Sequence, residues 1–132
     1  MVCVYCSKKT QVINTRHQTK HNQIWRRRKC SACHAIFTSL ETTDFEQLWL
    51  VINKKGQLQP FLTDKLYLSV YDSLKHRSSA RSDARHITRT VVSLLLGKIE
   101  NGTINSSLIS DTTKVSLNRF DKTASIHYQA FH

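Results

Sequence analysis

The sequence predicts an α+β protein in two parts: a small antiparallel sheet built around cysteines, then a mainly helical domain that opens on a short β-hairpin. Three observations carry that prediction. All four cysteines fall in the first quarter of the 132-residue chain, as two like-spaced pairs, Cys3-Val4-Tyr5-Cys6 and Cys30-Ser31-Ala32-Cys33. The first 40 residues carry eight lysines and arginines and no acid, whereas the rest mixes both signs. After Thr63 the apolar spacing lengthens from two residues to about three and a half, the change from strand to helix.

A C-x-x-C pair on a tight turn points two sulfurs at one place, and a second pair completes a tetrahedron. Thiolates so arranged favour Zn²⁺, a borderline-soft ion, in a closed structural site. The expected metal ligands are therefore Cys3, Cys6, Cys30 and Cys33. The pairs are 23 residues apart, slightly beyond the usual 15–20 or so but enough for a β-hairpin, which makes a zinc ribbon. Two disulfides are the competing reading, but the opening Met1–Tyr5 lacks the charged-then-apolar pattern of an export signal. A redox C-x-x-C usually stands alone near a βαβ pattern, and none is visible. His17, His21 and His34 offer nitrogen ligands, yet four thiolates already fill a tetrahedron. They read as residues of the surface, or as residues facing a nucleic acid.

Net charge is +11, and +8 of it belongs to Lys8, Lys9, Arg16, Lys20, Arg26, Arg27, Arg28 and Lys29. Glu41 is the first acid. Four thiolates on one Zn²⁺ subtract two, leaving about +6 in a very small volume. Such a module attracts a polyanion, nucleic acid before others, whereas a merely solvated face normally mixes both signs. No apolar run approaches the ~18 residues of a membrane span. Three glycines and one proline leave no obvious flexible linker. The chain reads as cytoplasmic, soluble and folded throughout.

Within the first part, Gln11–Arg16 and Gln23–Arg28 read as strands around a polar turn at His17–Asn22, and Ala35–Thr42 reads as a third. So small a sheet cannot hold by apolar burial alone, so the metal supplies much of its folding energy. The boundary falls near Phe45, giving parts 1–45 and 46–132. Leu48–Asn53 is a strongly apolar strand, Lys54–Gln57 a turn, and Leu58–Phe61 a short returning strand. Thr63 or Asp64 is placed to cap a helix over Lys65–His76, with Leu66, Val70 and Leu74 on one face beside Tyr67 and Tyr71. Ser82 or Asp83 is placed to cap a second, with Ile87, Val91, Leu94 and Leu95 inward and Gly97 as its stop. A turn at Asn101-Gly102 precedes a third, from Ser106 or Ser107, carrying Leu108, Ile109, Val115 and Phe120. A short last helix from Asp121 uses Ala124, Ile126 or Tyr128, and Phe131. These stripes are core, not a cofactor box. No Ser/His/Asp arrangement, close carboxylate pair or glycine-rich phosphate loop is present, so the reading is not of an enzyme.

In this order the two halves resemble the NrdR family of bacterial transcriptional repressors, over essentially the whole chain. Val12-Ile13-Asn14-Thr15-Arg16 resembles the family's Val-Ile-Asp-Ser-Arg, and Ile24-Trp25-Arg26-Arg27-Arg28-Lys29-Cys30 resembles its arginine run. Phe37-Thr38-Ser39-Leu40-Glu41 resembles Phe-Thr-Thr-Phe-Glu. The second half is less faithful. Val51–Phe61 resembles Val-x-Lys-Arg-Asp/Asn-Gly-x-x-Glu-x-Phe, but has Asn53, Lys54, Lys55 and Gln59 at the family's Lys, Arg, Asp/Asn and Glu, with the later Lys65 in place. Phe120–Ile126 resembles Leu-Asp-x-Val-Ala-Tyr-Ile, with Ser125 at the tyrosine.

The resemblance implies an N-terminal zinc ribbon joined to an ATP-cone, a helical nucleotide-sensing domain that also sets assembly. It implies double-stranded DNA as partner, contacted by Arg16, Arg26, Arg27, Arg28 and Lys29 upstream of ribonucleotide reductase genes. It further implies ATP or dATP, with or without Mg²⁺, held near Asn53, Lys54, Lys55, Gln59 and Lys65 in a homo-oligomer. With an aspartate as the family's acid, the departures add two positive charges locally, so attraction for a triphosphate survives while the planar fork of an arginine is lost. The alternatives are a ribbon acting on DNA or RNA whose cone-like half only oligomerises, and an allosteric fragment of a reductase, against which the lack of a reductase core argues.

Overall fold

A computed structural model describes all 132 residues, Met1 to His132. The chain forms two compact units, Met1–Thr43 and Asp44–His132. No helix is long and apolar enough to cross a membrane.

The first unit is an antiparallel sheet of β1 (Thr10–Gln18), β2 (Gln23–Cys30) and β3 (Ile36–Thr42), in that order. Every strand expected there forms. The turn is tighter than its polar stretch suggests: β1 runs through Gln18, one 3-10 turn covers Thr19–His21, and Asn22 reverses the chain at φ 49°. Asparagine tolerates that left-handed conformation. The Asn22 amide then donates to Thr43 Oγ1 at 2.9 Å, tying the turn to the end of the unit.

The β1–β2 register slips once, between Val12 and Asn14, leaving Ile13 as a bulge. Before the slip Val12 lies opposite Arg28; after it Asn14 lies opposite Arg27 and Arg16 opposite Trp25. A one-residue slip sends every later side chain to the other face. The bulge therefore decides which cations share a surface.

The second unit contains α1 (Phe45–Leu48), β4 (Leu50–Ile52), β5 (Leu58–Pro60), α2 (Thr63–Leu74), α3 (Ala80–Leu96), β6 (Thr103–Asn105), α4 (Ser106–Phe120) and α5 (Lys122–Phe131). β4 pairs antiparallel with β5 and parallel with β6. The β4–β5 hairpin is the expected one, with Gly56 at φ 77° in its turn. The apolar strand begins later than expected, because the chain before it winds into α1. That winding brings the Phe45 and Trp49 rings to 4.3 Å, and Phe61 meets Trp49 edge-on at 5.2 Å. Ring burial here overrides strand propensity. β6 has no signature in the sequence, since three residues are too few to show a period.

Each helix forms, with adjustments at its ends and faces. α2 starts at Thr63 with Leu62 as N-cap, so neither Thr63 nor Asp64 caps it. α3 starts before Ser82 and Asp83, because Ala80 and Ala84 are buried and extend its inner face. Ile87, Val91 and Leu95 point inward as expected, whereas Leu94 is largely exposed. Gly97 keeps a right-handed φ of −86°; the left-handed reversal comes at Asn101 and Gly102. A Cβ on Gly102 would sit 3.2 Å from the Leu48 carbonyl oxygen, so glycine is needed there twice over.

In α4, Leu108 and Ile109 pack against the core, but Val115 and Phe120 are exposed and Thr112, Thr113, Ser116 and Leu117 take the inner face. Two of these hydroxyls, those of Thr113 and Ser116, bond within the helix, Thr113 Oγ1 to Ile109 O at 2.7 Å and Ser116 Oγ to Thr112 O at 2.8 Å. They are thus buried without an unmet donor. α5 starts as expected, with the Asp121 side chain accepting from Ala124 N at 3.0 Å. Ala124 and Tyr128 turn inward, while Ile126 and Phe131 stay exposed.

Candidate metal centre and nucleic-acid interface

The two cysteine pairs sit on matching turns. Cys3 N donates to Lys8 O at 2.8 Å, and Cys30 N to Ala35 O at 2.9 Å, the same step along each turn. Ser7 and His34, each following the second cysteine of its pair, adopt left-handed φ of 58° and 60°. Inside the turns, Tyr5 N donates to Cys3 Sγ at 3.5 Å, and Ala32 N and Cys33 N to Cys30 Sγ at 3.4 and 3.5 Å. The turns thus aim sulfurs inward and amide hydrogens at the sulfurs.

All four Sγ atoms lie within 4.8 Å of one another. The short separations run between the pairs: Cys3 to Cys33 at 3.6 Å and Cys6 to Cys30 at 3.5 Å. A tetrahedron with ~2.3 Å zinc–sulfur bonds has edges of about 3.8 Å. Disulfide sulfurs would stand about 2.05 Å apart, and all four cysteines are free. The donor set therefore fits zinc.

Protonation points the same way. The Cys33 N–H, then the Ala32 N–H and the Cys6 thiol, hold Cys30 down at about 6 against burial, while backbone N–H bonds from Tyr5 and Cys6 lower Cys3. At Cys33 the Ala35 N–H lowers the pKa, but the Cys6 sulfur, partial desolvation and the sulfurs of Cys3 and Cys30 outweigh it, and the thiol is pushed up to about 12. Sulfurs this close do not all ionise alone. A dication among them makes four thiolates stable together. His17 lies on β1 and His21 in the 3-10 turn, at the end of the sheet away from the cysteines; His34 adjoins Cys33 but is not among the clustered ligands.

The five expected DNA-contacting cations do not form one group. Alternation along β2 puts Trp25, Arg27 and Lys29 on one face, and Arg26, Arg28 and Cys30 on the other. Beyond the bulge, Arg16 joins the first set: Asn14, Arg16, Trp25, Arg27 and Thr38 line one concavity of about 220 Å³. Arg26 and Arg28 are engaged on the opposite face. Arg26 pairs with Glu41 at 3.0 Å, and Arg28 Nε donates to Ser39 Oγ at 2.8 Å. Asn14, Trp25 and Thr38 join the cations on this face as lining residues, beyond the five the sequence points to. Alternation flags Trp25 and Thr38, but Asn14 and Arg16 depend on the bulge, which no residue pattern announces.

In the second unit, Asn53, Lys54, Lys55 and Gln59 line a cleft of about 500 Å³ that Ser106, Ser110, Phe131 and His132 complete. Lys65 lines an adjoining cavity of about 250 Å³, which shares Gln59, Ser106, Ser110 and His132 with the first. Asn53 is committed to the hairpin turn: its Oδ1 accepts from Lys55 N and Gln57 N, both at 2.9 Å, and its Nδ2 donates to Gln57 Oε1 at 3.0 Å. The serines and the C-terminal aromatic residues had no signal in a local motif, since α4 and α5 reach the hairpin only through folding.

Comparison with known proteins agrees with this geometry. Residues 1–41 match the family model described as "Transcriptional repressor NrdR-like, N-terminal domain". The transcriptional repressor NrdR of Rhodospirillum centenum is 33% identical over 135 residues, covering 100% of this chain and 85% of the relative. Those of Anaplasma phagocytophilum and Streptococcus thermophilus are each 29% identical, covering 97% and 100% of this chain and 83% and 82% of their own lengths. With a four-cysteine ribbon at one end and a likeness that runs the length of the chain, the protein belongs to the NrdR family of transcriptional repressors.

Proposed function

We propose that this chain represses transcription by binding double-stranded DNA through its zinc ribbon, upstream of ribonucleotide reductase genes, as a homo-oligomer whose assembly is set by ATP or dATP. The observation that carries the reading is the charge of the ribbon. Its 43 residues hold eight lysines and arginines and one acid, Glu41. One ribbon makes few contacts, so several presented together to repeated sites are needed for tight binding. Lys54 and Lys55 at the cleft, with Lys65 beside it, suit a triphosphate. A nucleotide shifts assembly only if it binds one oligomer more tightly than another.

A second reading has one observation in its favour: the Asn53 amide is spent on the turn, at a position where the family pattern has lysine. In that reading the second unit oligomerises without sensing. Gel shifts with DNA from upstream of the host's ribonucleotide reductase genes, with and without each nucleotide, decide between them, with light scattering read in parallel. A shift and an oligomer size that both change with nucleotide support the first reading. DNA binding indifferent to ATP and dATP supports the second, and preference for RNA overturns the DNA assignment.

A further inference from the structure

We infer that the ribbon is polar in the literal sense: DNA is met by the face carrying Arg16, Trp25, Arg27 and Lys29, while Arg26 and Arg28 lie on the opposite face, engaged by Glu41 and Ser39 of β3. This inference rests on the DNA-binding reading above and specifies its surface.

Three independent features separate the faces. The first is charge. The only carboxylate of residues 1–43, Glu41, pairs with Arg26, so nothing within the unit offsets the cations of the other face. The second is commitment. Arg26 donates through Nε and Nη2 to Glu41, Arg28 donates through Nε to Ser39 Oγ, and Ser39 Oγ in turn donates to the Arg26 backbone O at 3.4 Å, so both guanidinium groups are turned to partners on β3. The third is the bulge at Ile13. In unbroken register Arg16 would lie opposite Ile24, on the Arg26 face; the slip places it opposite Trp25 instead. A bulge costs ladder bonds, and here it gathers a third cation onto one surface.

That surface also has the composition of a nucleic-acid contact. Trp25 lies between Arg16 on β1 and Leu40 on β3, and is 40% exposed, giving an apolar centre among cations. Asn14 and Thr38 flank Arg27 on the neighbouring strands and offer hydrogen-bonding groups beside it. Cations take phosphates, while an amide, a hydroxyl and an indole suit base edges and sugars.

The test places one added negative charge on either face without removing any cation. Thr38 lies opposite Arg27 and Thr15 opposite Arg26, both on outer strands and both exposed. Thr38→Glu and Thr15→Glu therefore change net charge equally. Binding of the zinc-loaded full-length variants to a 30-base-pair duplex of mixed sequence is followed by fluorescence anisotropy, with zinc content as the check on folding. The expected result is a loss of about tenfold or more for Thr38→Glu and less than about threefold for Thr15→Glu. Arg27→Ala should also lower the salt slope by about one per ribbon, and Arg26→Ala should leave it unchanged. Equal losses, a larger loss for Thr15→Glu, or no loss in either overturn the face assignment. Tighter binding to an RNA hairpin of the same length overturns the choice of partner, and no binding of wild-type protein to the duplex removes the underlying reading itself.

Discussion

The two units hold themselves together by different physics. In the second, 14 apolar side chains are buried, from Trp49 to Tyr128, and most come from helices packed on one another. In the first, the only buried residues are Cys3 and Cys30. Val12, Ile13, Trp25, Ile36 and Leu40 are all substantially exposed. A sheet of this size has too little interior to offset its conformational entropy. The difference teaches that the ribbon's folding energy resides in its metal, whereas the helical unit's resides in its core.

Zinc removal is the strongest way to break that comparison. Structural zinc in comparably small modules is worth on the order of 10 kcal/mol. Chelation, or Cys30→Ser, should unfold residues 1–43 and leave the helical circular dichroism and its melting transition in place. A ribbon whose amide resonances stay dispersed after metal loss would sink the contrast. Next in size is a core truncation. Leu117 is fully buried, so Leu117→Ala should destabilise the helical unit by about 2–5 kcal/mol in urea. Zinc content should be unchanged; metal loss in step with it would mean that the units do not fold separately.

Acid sharpens the comparison from another side. The Ala124 N–H, then His76 and Arg77, hold the Asp121 carboxyl down at about 2. Its folded pKa is below its unfolded value of about 4, so its stabilisation is fully present above that value and is lost as pH falls through about 2. Asp121→Ala should cost about 1–2 kcal/mol at neutral pH, as loss of a cap does, and should flatten the acid limb of the helical unit's stability curve. An unaltered acid limb would remove Asp121 from that role. The smallest effect belongs to the ribbon's ion pair. Glu41 is 60% exposed beside Arg26, so Glu41→Gln should change ribbon stability by less than about 1 kcal/mol. A larger loss, measured by zinc retention against a competing chelator, would show that the sheet depends on its charges as well as on its metal.

Legibility followed these same lines. The cysteine spacing announced the metal site because turn geometry at a C-x-x-C is local, and the structure converges the four sulfurs as expected. Helix existence was legible from periodicity, but not every inward residue. Leu94, Val115, Ile126 and Phe131 are apolar and exposed, while Thr113 and Ser116 are polar and buried. A hydroxyl that bonds a carbonyl in the preceding turn costs little to bury, and a hydropathy pattern does not register that bond. α1 has no signature in the sequence, since its four residues are too few to show a period and the rings of Phe45, Trp49 and Phe61 that pack around it meet only in the fold.

By itself, then, the sequence determined the ligand set, the basic first unit, the order of strands before helices and the family motifs. All of these depend on residues near one another in the chain. Tertiary structure decided which cations stand together, because that hangs on a bulge at Ile13 and on whether Glu41 and Ser39 reach across from β3. It also decided that Ser106, Ser110, Phe131 and His132 meet the hairpin of Asn53–Gln57. Spacing along the chain is local, but register between strands and the meeting of distant helices are set by burial and pairing across the whole unit.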